Sequence, residues 1–122
     1  MYKIILLSFL LLFLGCSEAT AQAVKNPSGA EFTSSVDHLV ITSYEIGWFL
    51  IGAPEPVSMV NIGKPAPDGS NRCVVQINVM PLAFNDYVAK IRAYAGTLVS
   101  DWSEASNIFQ RVPGPPSKLV VK

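Results

Sequence analysis

From residue 24 onward, apolar side chains recur at every second position, the spacing of a strand with one face turned inward. In Asp86–Tyr94, Tyr87, Ala89, Ile91 and Ala93 alternate with Val88, Lys90, Arg92 and Tyr94. Arg72–Met80 places Cys73, Val75, Ile77 and Val79 on one face. Tyr44–Ile51 (YEIGWFLI) is the densest aromatic and β-branched run, and Val57–Ile62 is a shorter strand beyond Pro54 and Pro56. Ala30–Ser35 predicts an early strand whose only large apolar residue is Phe32, and Ser103–Val112 predicts a last one. Val36–Ser43, Gly63–Asn71 and the stretch around Gly96 carry turn chemistry and predict loops. No segment sustains a helical apolar period. Short strands separated by turns predict an all-β sandwich or barrel.

The first residues follow another pattern. Lys3 precedes an apolar run, Ile4–Leu14, broken only by Ser8. That run is too short to cross a bilayer core of about 30 Å, which takes about 20 helical residues. Residues 1–21 are therefore expected to be a signal peptide. Ala19-Thr20-Ala21 and Ala21-Gln22-Ala23 offer cleavage near 21–23. Phe13-Leu14-Gly15-Cys16 is similar to a lipobox, in which Cys16 would be acylated and become the new N-terminus. The chain is expected to be secreted or periplasmic, with a lipoprotein anchored through Cys16 as the alternative.

Charge narrows the partners. Nine Lys and Arg balance nine Asp and Glu. Without a basic excess there is no electrostatic case for nucleic acid, and membrane contact is expected only through a lipid anchor. With Cys16 set aside, Cys73 is alone and cannot close an internal disulfide. It is expected to be a small buried hydrophobe, with pairing between chains as the alternative.

Candidate chemistry is sparse. His38 is the single His and follows Asp37. Neighbours on an extended chain point to opposite faces, so Asp37 is badly placed to orient the imidazole as a triad requires. One His and one remaining Cys fall short of a zinc site, and no DxDxDG-like calcium loop occurs. GKPAPDG at 63–69 lacks phosphate-loop spacing, and the three Ser of Ser100–Ser106 form no GxSxG elbow. No enzymatic activity, cofactor or metal is expected. The aromatics are the candidates for contact. On the register of Tyr44 and Ile46, Trp48 points inward and Phe49 outward. Phe49 with Ile51 and Tyr94 either forms an apolar partner patch or is covered by its neighbours. Trp102 either stacks on a sugar or packs over Arg92. Phe49, Tyr94 and Trp102 are thus the candidate contact residues.

These residues resemble a fibronectin type III domain over roughly residues 30–120. Tyr87, Ala89, Ile91 and Ala93, with Leu82 a few residues earlier, are similar to the family's sixth strand. Val75, Ile77 and Val79 look like the inward positions of its fifth, and Tyr44 and Ile46 like the start of its third. Phe32 stands where the second strand usually carries Trp. Ser100-Asp101-Trp102-Ser103-Glu104 is similar to the family's Trp-Ser-Glu turn, and PGPPSKLVV to the linker leading into another such domain.

The resemblance implies a two-sheet antiparallel sandwich over 24–112, followed by a Pro-rich tail at 113–122. It implies a core of Phe32, Tyr44, Ile46, Trp48, Val75, Ile77, Val79, Leu82, Tyr87, Ala89, Ile91 and Ala93, with Lys90 and Arg92 facing water. Tyr87 would bond backbone near Leu82 as a tyrosine corner. Only Gln22–Gly29 is available for the first strand, so that strand is expected to be short or missing, leaving an exposed edge. The implied role is an exported, non-catalytic binding or spacer module that meets a protein or surface through loops 36–43, 63–71 and 95–102 or a sheet edge. The alternatives are an accessory carbohydrate-binding protein and a piece of a multidomain secreted enzyme. The partner's identity, protein or glycan, does not follow from these residues.

Overall fold

The computed structural model describes residues 23–122; the expected signal peptide and Cys16 lie outside the described residues. The strands are β1 (Val24–Lys25), β2 (Gly29–Thr33), β3 (Ser43–Leu50), β4 (Ser58–Gly63), β5 (Arg72–Gln76), β6 (Asn85–Ala95), β7 (Leu98–Val99) and β8 (Phe109–Arg111). One short 3-10 turn, His38–Val40, precedes β3. The fold is all-β in two sheets. The larger runs β1-β8-β6-β3-β4 with β7 on the end of β6, and the smaller is the pair β2-β5.

The alternating runs dictate the register. β3 and β6 pair antiparallel, with Tyr44 opposite Ala93, Ile46 opposite Ile91 and Trp48 opposite Ala89. Small Ala therefore faces each large ring, which lets side chains of the two sheets interdigitate. One buried cluster holds Ile46, Trp48, Val79, Tyr87 and Phe109, with Val75, Ile77, Leu82, Ala89 and Ile91 packed against it. A second holds Ile41, Tyr44 and Ala93, with Phe32 and Ile91 against it. Phe109 meets Trp48 edge-to-face at 5.7 Å and stacks on Tyr87 at 5.6 Å. The Tyr87 hydroxyl donates to the Ala83 carbonyl at 2.7 Å, four residues back in the turn after Leu82.

The first strand is short, as expected: β1 is two residues long and pairs parallel to β8 in the larger sheet, so among the described residues β2 and β5 alone make the smaller one. Three other expectations need correction. The expected strand to Met80 ends at Gln76, because its partner runs out: the last rung is Ile77 N–H to the Ser28 carbonyl. The Asn78 side chain then turns the chain by accepting from the Met80 amide. The expected strand from Ser103 is a true ladder only over Phe109–Arg111, for a reason that lies in its serines. Finally, Lys90 and Arg92 are half-buried rather than solvated.

Candidate functional site

The outer face of the larger sheet holds the aromatic candidates. Phe49 points outward as its register requires, yet it is 0% exposed. Trp102 folds back over the sheet and meets Phe49 edge-on, 5.3 Å between centroids. The Lys90 ammonium lies 4.7 Å from the Phe49 ring. Phe49 therefore presents no surface to a ligand, which removes it as a contact residue. Arg92 sits 4.1 Å over Trp102 and pairs with Glu45, its cross-strand neighbour, at 2.6 Å. The Tyr94 hydroxyl donates to the same Glu45 oxygen at 3.1 Å. Burial opposes the Arg92 charge, but the Glu45 carboxylate and Tyr94 outweigh it and hold the guanidinium above its ordinary value. Gly47 makes this layer possible: a Cβ there would lie 2.8 Å from Phe49 and 2.9 Å from Trp102.

The segment after Trp102 is held by a repeating device. Ser100, Ser103 and Ser106 donate their amides to the carbonyls of Ala93, Ile91 and Ala89. Each serine Oγ accepts the amide of that same β6 residue, at 2.9, 3.0 and 2.8 Å. Each Oγ also donates to the carbonyl of the next residue in its own chain. Three residues of the segment thus match two of β6, an extra residue per step as in a repeated bulge. The signal was the S-x-x-S-x-x-S spacing, which a search for a nucleophile elbow passes over.

The strand order brings the ends of β2, β4 and β6 and the starts of β3 and β5 to one end of the sandwich. There, loop 34–42 is braced from inside. His38 Nδ1 and the Tyr44 hydroxyl lie 2.7 Å apart, and that hydroxyl accepts the Ser35 amide. Loop 95–100 is tied to it by Thr42 N–H to the Tyr94 carbonyl and Gly96 N–H to Thr42 Oγ1. Gly96, at φ +62°, takes the left-handed position of the turn into β7. On this frame Val36 is 101%, Leu39 93% and Leu98 75% exposed. Loop 63–71 is shaped by Asp68, whose Oδ1 accepts the Ser70 and Arg72 amides. Those bonds, the Arg72 amide foremost, hold its carboxyl below the ordinary range.

Cys73 is fully buried beside the Pro65 carbonyl, and burial, with the Asp68 charge second, pushes its thiol up. It is therefore a poor nucleophile. Among the described residues, no group of three or more His, Cys, Asp or Glu is placed to hold a metal. Arg111, which sequence reasoning missed, is a buried cation bonded to the Met80 and Val112 carbonyls and to Asn26, and it ties β8 to both neighbouring turns. No family profile, curated protein or solved structure matches the chain.

Proposed function

We propose that this chain is an exported, non-catalytic recognition module on a fibronectin type III-like sandwich, meeting a protein or surface partner through loops 34–42 and 95–100. The observation that carries the reading is the exposure of Val36, Leu39 and Leu98 on a backbone braced by Tyr44, His38 and Thr42. Apolar side chains held in water at fixed loop tips favour a partner that covers them. The sheet order and the Tyr87 corner support the family resemblance. The loop end is preferred to the outer aromatic layer because Trp102 is already engaged by Arg92 and Phe49.

The test is binding of the immobilised chain to exported protein and polysaccharide fractions from its host. Leu39→Asp with Leu98→Asp should weaken retention by ~tenfold or more, the worth of two lost apolar contacts, with the circular dichroism unchanged. Undiminished retention in that variant would refute the loop end as the contact surface. Polysaccharide retention lost only in Trp102→Ala would move the function to a glycan.

A further inference from the structure

The smaller sheet has one edge that faces a groove. In the β2-β5 pair, Ser28 accepts from Ile77 and Ser34 donates to Asn71. Those bonded pairs share the parity of Ala30 with Val75 and Phe32 with Cys73. The amides and carbonyls of Gly29, Glu31 and Thr33 therefore point away from β5. No other described strand pairs with them. Beside them runs a cavity of about 360 Å³ between β2 and the serine-held segment, floored by Phe32, Ile46, Ala89 and Ile91. A second, of about 270 Å³, shares Ala30, Glu31, Ile46 and Ala89 and continues to Trp48 and Phe109. Core side chains thus line a groove beside the free edge of β2.

The same chain carries a segment of matching form. Lys118–Lys122 (KLVVK) is fully out in solvent, with Leu119 84% and Val121 88% exposed. It has as many residues as β2. Extended, it would put Leu119 and Val121 on one face and Lys118, Val120 and Lys122 on the other. That is the pattern of a strand with one buried side. Its two cations complement Glu31 and Glu104 on the groove's two lips. Glu31 is held only loosely, 3.6 Å from Arg72 in an exposed pair. Pro113, Pro115 and Pro116 keep the intervening stretch extended and carry the segment away from its own sandwich.

We propose that the β2 edge accepts residues 118–122 of a second copy as an added strand. Leu119 and Val121 enter the groove, and the outward amides and carbonyls of Gly29, Glu31 and Thr33 complete the ladder. The contact is head-to-tail, so copies add in an open chain unless a ring closes. It uses the lateral edge of β2 and the groove beside it rather than the loop tips beyond Thr33, and it does not depend on the loop-end reading.

Two variants of the full chain test it. Leu119→Asp/Val121→Asp spoils the donor in a solvent-exposed stretch. Glu31→Pro spoils the acceptor by removing an amide that β5 does not use. Sedimentation of the native chain should show association rising with concentration, and exchange of the Glu31 and Thr33 amides should slow by ~tenfold or more across that range. Each variant alone should lose chain growth, and their mixture should form dimers but nothing longer. A monomer at every concentration, or a mixture that stays monomeric, overturns the proposal. So does slow exchange at Glu31 and Thr33 that is independent of concentration, since the edge is then covered from within its own chain.

Discussion

Gly47 shows how far one missing carbon reaches. Its place is taken by the Trp102 and Phe49 rings, so Gly47→Ala forces both aside, and overpacking of that kind costs about 1–3 kcal/mol. The expected result is a urea midpoint lowered with the slope unchanged; an unchanged midpoint would mean Trp102 does not rest there. Tyr87→Phe removes one hydrogen bond to Ala83 while keeping the stacked ring, an expected loss of about 0.5–1.5 kcal/mol. The sequence pattern alone implies that Lys90→Ala is nearly silent. With its ammonium over Phe49, a loss of about 0.5–1 kcal/mol is expected instead. Ile91→Asp, which packs a charge against both core clusters, is expected to abolish the cooperative unfolding transition. The inward alternation on β6 was legible residue by residue. The covering of its outward face was not, because Trp102 arrives from beyond β7, past the turn at Gly96.

Among the elements, the segment 100–106 departs furthest from its pattern. Its apolar content is low and its period is three, so alternation misreads it as the start of the last strand. The serine side chains supply acceptors that a strand would supply from its backbone. Ser103→Ala should leave the Ile91 amide to water, and its exchange should quicken while the amides of β3 stay slow. Equal protection in the variant and the native chain would show that Oγ is not the acceptor. β5 stops short of its own apolar run for a different reason: strand length is decided by the partner, and β2 begins only at Gly29, opposite Gln76. No reading of 72–80 in isolation contains that information.

At the scale of the molecule, the two ends and the open edge divide the surface. Asp68 couples one of them to pH. Its carboxyl is held below the ordinary value of 3.8 by backbone donors, so its contribution is present above that value and is lost as pH falls below it. Native Asp68 should therefore steepen the acid limb of the stability profile below pH 3.8 relative to Asp68→Asn. Coincident profiles would show that ionisation of Asp68 contributes nothing to folding. The thin smaller sheet was foreseeable from the few residues ahead of Phe32. The diversion of Val24–Lys25 onto β8 was not, because it depends on Asn26, whose side chain bonds Val112 and Arg111 across 86 and 85 positions of chain.

The sequence alone determined the all-β class, the inward faces of the long strands and the burial of Cys73. Each of these is a local matter of period two or of one residue's polarity. Only tertiary structure decided that Phe49 is covered and that Ser100, Ser103 and Ser106 replace a ladder. Those outcomes depend on which distant segment reaches a site, and short-range spacing carries no record of that.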